Sequence, residues 1–230
     1  MKNIQHTNIL SKAQKLKIFV FTIVFYILCF ANLNAQQVAI LKYNGGGDWY
    51  ANPTALPNLI EFSNNAINTN IKTNPETVEA ASIDIFNYPI LFMTGHGNVL
   101  FSEDAIENLK TYLISGGFLH ISDNYGLDKF IRREIKKLFP TLDFQEIPFN
   151  HPIYHQTFDF KEGVPKIHEH DNKPPQGFGL FYEGRLICFY DYEADLSDGW
   201  EDKEVHNDPL EIREQALQMG ANIIEYAFKN

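Results

Sequence analysis

The chain has 230 residues, of which 44% are hydrophobic, 14% aromatic and 21% charged, with a formal net charge of −10. These proportions describe a globular protein with one sizeable core, or two at most, and exclude a disordered tail, a collagen, a coiled coil and a small disulfide scaffold. The excess of 29 acidic over 19 basic residues argues against nucleic acid as a partner, because that affinity rests on lysine and arginine neutralising phosphates.

Residues 1–17 carry Lys2, Lys12, Lys15 and Lys17 and no acid; an apolar run from Ile18 to Ala31, broken only by Thr22, leads to Asn34-Ala35. A positive start, an apolar run of about 7–15 residues and a small exit residue describe a secretory signal peptide over 1–35. An uncleaved N-terminal anchor is the alternative, and through it alone would the chain touch a membrane. The chain is therefore expected to be exported. Cutting after Ala35 removes four lysines and no acid, which takes the charge from −10 to −14 and leaves Cys188 without a disulfide partner.

Past the leader, Val38-Ala39-Ile40-Leu41 opens the first strand. A helix is expected over 54–68, with Pro57 in its first turn, where a missing N–H is harmless. Ile90-Leu91-Phe92-Met93 is the second strand. Ser102 caps the next helix, which opens on Glu103 and Asp104 and carries the stripe Ile106, Leu109 and Leu113. Phe118-Leu119-His120-Ile121 is the third strand. A further stripe of Leu127, Phe130, Ile131, Ile135 and Leu138 stops at Pro140. Residues 140–180, punctuated by Pro148, Pro152, Pro165, Pro174 and Pro175, read as a loop-rich insertion with an edge strand or two. Tyr182-Glu183-Gly184-Arg185 is a hairpin turn into the fourth strand, Leu186-Ile187-Cys188-Phe189-Tyr190. The last helix takes Asp208 as its cap, with Pro209 and Glu211 behind it, and faces the core with Leu217, Ala221, Ile224 and Phe228. Nearly continuous apolar strands alternating with helices predict a three-layer α/β sandwich on a mostly parallel sheet, in a single domain over 36–230.

In such a sheet, ligands bind beyond the carboxyl ends of the strands. The four strands are followed by Asn44-Gly45-Gly46-Gly47-Asp48-Trp49, by Thr94-Gly95-His96-Gly97, by Ser122-Asp123-Asn124-Tyr125, and by a segment holding Asp191, Glu193, Asp195, Asp198, Glu201 and Asp202. A parallel sheet brings all four to one rim. Gly45, Gly46 and Gly47 form either an anion-binding nest of N–H groups or a plain tight turn. His96 is a base, a metal ligand or a loop hydrogen-bonder. Asp123 is a nucleophile, base or metal ligand, or simply a cap for the next helix. His151 with His155, and His168 with His170, are conceivable metal pairs. The acids after the fourth strand suit a hard cation or form a solvated loop, with Asp195, Asp198 and Trp200 the candidates for binding. Arg185 pairs with an acid or with a ligand carboxylate. Cys188 reads as a core thiol.

Taken together, Tyr43-Asn44-Gly45-Gly46-Gly47-Asp48-Trp49-Tyr50, Thr94-Gly95-His96-Gly97, Gly116-Gly117-Phe118-Leu119, Asn150-His151-Pro152-Ile153-Tyr154, Asp195-Leu196-Ser197-Asp198-Gly199-Trp200-Glu201 and Gly220-Ala221-Asn222-Ile223-Ile224-Glu225-Tyr226 resemble the bacterial family called domain of unknown function 4159. The resemblance implies a flavodoxin-like sandwich similar to class I glutamine amidotransferases, in a protein of the periplasm or cell envelope, and no established activity. Those enzymes hold a cysteine at the strand-to-helix elbow. Here the elbow reads Ser122-Asp123-Asn124, which argues against glutaminase chemistry.

Two readings follow. The first is a non-catalytic module that binds a small polar ligand, a glycan or an envelope protein through Gly45, Gly46, Gly47, Asp48, Trp49, His96, Asn124, Arg185, Asp195, Asp198 and Trp200, with Tyr50 and Tyr125 as further stacking faces. The second is a hydrolase, with or without the help of a metal, using Asp123 and His96 at the same rim. No motif demands a cofactor; a divalent metal has candidate ligands in His96, Asp123, His151 and Asp198.

Overall fold

The computed structural model describes residues 37–230; the expected leader lies outside them. The four apolar runs form strands β1 (Val38–Lys42), β3 (Ile90–Gly95), β4 (Phe118–Asp123) and β7 (Arg185–Tyr192). All six residues of β3 and of β4 are buried, which is why their sequence is continuous rather than alternating. Along β3, Leu91 and Met93 enter one core while Ile90 and Phe92 enter the other, on the opposite face of the sheet. The first core takes helices α2 (Glu103–Ile114) and α3 (Asp128–Leu138); the second takes α1 (Ala55–Ala66) and α5 (Leu210–Lys229). That is the three-layer α/β sandwich.

The sheet has seven strands in the order β2-β1-β3-β4-β7-β6-β5. The first five run parallel, and β6 (Gln176–Tyr182) and β5 (Gln145–Glu146) add an antiparallel edge. Strand β2 (Glu76–Glu79) covers the other edge and buries only Val78, so its sequence carries almost no signal. The β6–β7 turn has positive φ at both Glu183 (49°) and Gly184 (83°), the geometry of a tight two-residue hairpin.

The predicted cap at Ser102 is present: its Oγ accepts from Ala105 N at 3.3 Å. The predicted cap at Asp208 is not. Helix α5 starts at Leu210, behind Pro209, and the Asp208 carboxylate accepts from His168 Nε2 instead. A single-turn helix, α4 (Lys203–His206), precedes it.

Candidate functional site

Because β1, β3, β4 and β7 are mutually parallel, the segments that follow them share one rim. Asn52, Thr94 at the end of β3, Asn124, Ser197 and Asp198 form a hydrogen-bonded knot there. Asn124 Oδ1 accepts from Thr94 Oγ1 and from Ser197 Oγ, both at 3.0 Å, and Asn124 Nδ2 donates to Asn52 Oδ1 at 2.8 Å. Asn52, in the left-handed region at φ 57°, passes the chain on to Ser197 and, at 2.5 Å, to Asp198 Oδ1. Thr94, Asn124 and Ser197 are buried. Asn124 therefore spends its amide inside the protein and fixes the loops, rather than reaching a ligand.

The glycine run packs against the loop after β3. Gly47 N donates to Asn98 O, and a Cβ at Gly45 or Gly47 would come within 2.7 Å of Leu100 N or His96 O. Close approach of two backbones is the reason for these glycines. Gly46 stays open and exposed. Asp48 grips His96 twice, accepting from its backbone N–H and lying 3.0 Å from its Nδ1, while the imidazole remains half exposed. Trp49 is half-buried against the core, with the Lys42 ammonium 5.8 Å from its ring centroid and Tyr50 edge-on to it.

Asp123 is 2% exposed, and both its oxygens are engaged: Oδ1 accepts from Leu127 N and Oδ2 from the Tyr190 hydroxyl, each at 3.0 Å. It ties down the turn into α3. No hydrogen bond joins it to His96 among the described residues. Burial, helped by Asp128 and Asp191, pushes its carboxyl up to about 6. A carboxyl raised above its unfolded value of about 3.9 contributes stability that is complete below that value and is lost as pH rises through about 6. Wild type is therefore expected to lose about 2–3 kcal/mol relative to Asp123→Asn between pH 4 and pH 7.5. Urea titrations of both proteins across that range test this; a constant difference would refute it.

Beside Asp123 a cavity of about 340 Å³ opens between the β4–α3 turn and the segments 170–171 and 192–195. The Tyr125 ring, 47% exposed, stacks on His170 at 4.5 Å, and its hydroxyl donates to Asp171 at 3.0 Å. Tyr192 and Phe130 add apolar surface, and Glu193 and Asp195 line the far side. Both of these acids hold positive φ, near 55°, so the chain turns sharply there. Asp195 is buried, with Oδ2 hydrogen-bonded to His170 Nε2. Burial and the nearby Asp198 raise its carboxyl above the usual range.

Next to the cavity, His168 stands between carboxylates. Its Nδ1 is 3.2 Å from Asp198 Oδ2 and its Nε2 is 3.1 Å from Asp208 Oδ1. The Asp198 hydrogen bond, then that of Asp208, pushes the imidazole up to about 9. Of the four single candidates for a metal, His96, Asp123, His151 and Asp198, only Asp198 lies here; the expected pair His168 and His170 is here too, with both imidazoles turned to the Asp195 carboxylate. His151 caps the 3-10 turn Pro152–Tyr154, accepting from Ile153 N, and packs on Phe181 and Tyr226. Trp200 has no exposed surface and packs into the core shared by α1 and α5, so it offers no stacking face. Arg185, at the start of β7 and so at the end opposite the rim, donates to the carbonyls of Gly117 and Leu113. Cys188 is wholly buried, which pushes its thiol up.

The family described as Domain of unknown function (DUF4159) matches residues 37–228. The chain belongs to that family. No curated protein matches it. The family's match thus covers every strand of the sheet, the rim knot, the cavity and the His168 cluster, whose residues all fall inside it.

Proposed function

We propose that the chain is an exported envelope protein that acts as a non-catalytic binding module, with the cavity beside Tyr125 as its site. The observation that carries this reading is the lining: two tyrosine rings and a phenylalanine among Asp123, Asp128, Asp171, Glu193 and Asp195, against Lys129 in the wall and the Lys173 ammonium, which lies 3.0 Å from Asp171 and 3.4 Å from Glu193, so that carboxylates outnumber lysines. Aromatic faces with converging carboxylates suit a small hydroxylated ligand that bears positive charge, such as an amino sugar. Export rests on the leader, and the amidotransferase-like fold on the order of the parallel strands, β2-β1-β3-β4-β7, which is that of flavodoxin-like sheets.

Calorimetric titration with glucosamine, neutral sugars and small amines tests the site. Saturable binding of the amino sugar is expected, weakened at least tenfold in Tyr125→Ala. No saturable binding to any of the three classes would overturn the reading. N-terminal sequencing of the protein from the envelope fraction tests export: a start near Gln36 supports it, and recovery only from the cytosol refutes it.

A second reading, a hydrolase, draws on the Asp48–His96 pair. An imidazole oriented by a carboxylate at Nδ1 is the arrangement of a general base. It predicts turnover of an ester, amide or glycoside that is lost in His96→Ala.

A further inference from the structure

Three carboxylates, Asp195, Asp198 and Asp208, meet at His168, and their only ion-pair partners among the described residues are histidines. In a chain that spends lysines and arginines on Glu79, Asp128 and Glu134, this is a distinct choice. One ligand atom each from His168, Asp198 and His206 lies within 4.8 Å of the others. Asp198 Oδ2 is 3.2 Å from His168 Nδ1 and 3.8 Å from His206 Nε2. Metal bonds of about 2.0–2.2 Å in a tetrahedron set neighbouring ligand atoms about 3.3 Å apart, so closure needs only a small shift of the half-exposed His206.

The supports of the cluster also fit. With Nδ1 on an ion, the Nε2–H of His168 donates to Asp208, the carboxylate–histidine arrangement that fixes ring orientation around metals. Asp198 keeps Oδ1 for Asn52 and so presents Oδ2. A separate observation favours positive charge beside the cluster. Asp195 is 1% exposed, its Oδ1 has no hydrogen-bond partner, and its Oδ2 lies 3.7 Å from His168 Nδ1. An unsatisfied buried carboxylate oxygen is costly, and positive charge beside it lowers that cost.

We propose that His168, Asp198 and His206 bind one divalent transition-metal ion and leave at least one coordination position open. Two imidazoles and one carboxylate suit ions of the zinc and iron class rather than calcium or magnesium, which take oxygen ligands. The ion would clip together the inserted segment, the 3-10 turn Asp198–Trp200 and α4. It is independent of the cavity reading: no ligand of the cavity is needed for it.

The test uses protein produced from the full 230-residue chain, without a histidine tag. Mass spectrometry should find about one transition-metal ion per chain. After chelation, Zn²⁺ should rebind and raise the melting temperature. His206→Ala, an exposed change on α4 that leaves the core untouched, should weaken Zn²⁺ binding by about 100-fold or more, beyond the roughly 10–100-fold seen for supporting residues. His96→Ala should bind as wild type does. Absence of Zn²⁺ binding in wild type, or unchanged affinity in His206→Ala, would overturn the proposal.

Discussion

Asp191→Ala is expected to destabilise the domain by about 3–5 kcal/mol, because it leaves several buried donors without their acceptor, at roughly 1–3 kcal/mol each. Asp191 has no exposed surface. Its Oδ2 lies 2.7 Å from His120 Nε2, and its Oδ1 accepts from Ser122 Oγ at 2.9 Å and from Leu196 N at 3.4 Å. His120 is ringed by Phe92, Phe189 and Trp200, so no water is on hand to replace the lost acceptor. Asp191→Asn keeps one acceptor oxygen and should cost clearly less. Replacing both partners by leucine should recover only part of the loss, because the Ser122 hydroxyl proton and Leu196 N still lose their acceptor. Urea unfolding of the three variants checks the ranking; a loss under about 1 kcal/mol in Asp191→Ala would show that the pair is not the keystone of the rim.

How much of this was legible depended on what each residue faces. Strands buried on both faces declare themselves by continuous apolar runs, and β1, β3, β4 and β7 stood where the pattern placed them. Strand β2 did not, since Glu76, Thr77 and Glu79 are exposed and only Val78 packs inward. Strand β6 carries Gly177 and Gly179 among its aromatics, and glycine reads as a loop even where Tyr154 and Leu186 leave no room for a Cβ. Convergence of four segments on one rim was legible because it follows from parallel strands alone.

The roles within the rim were less so. Asn52, Thr94 and Ser197 are ordinary loop residues in sequence; their importance comes from a left-handed backbone at Asn52 and from burial, and neither leaves a pattern. Asp208 looked like the cap of the last helix until the inserted segment delivered His168 to it, and His206 carried no signal of its own. Contacts between segments 40 residues apart, such as His168 with Asp208, have no local signature. Asp123 shows the reverse case: a residue at a catalytic-looking elbow whose two oxygens are consumed in holding the turn.

Trp200 makes the sharpest separation between the two kinds of reading. Placed after Gly199 in an acidic segment, it looked like a flat wall for a ligand. In the structure the 3-10 turn Asp198–Trp200 folds the indole inward, 5.6 Å from the rings of both Phe92 and His120, with Nε1 donating to Ala216 O at 2.8 Å. Gly220 of α5 is what lets it in: a Cβ there would come within 2.8 Å of the indole. Trp200→Ala should therefore cost about 3–5 kcal/mol, through lost burial and the cavity left behind. For a domain of this size that lowers the melting temperature by roughly 10 °C. Trp200→Phe, which fills most of the space and gives up the hydrogen bond, should lose less than half as much. A ligand-facing tryptophan would behave in the opposite way, with melting unchanged and binding abolished. Thermal unfolding of the two variants, read by circular dichroism, decides between these outcomes. Because Trp49 is then the remaining tryptophan, its fluorescence in Trp200→Phe also reports directly on the rim.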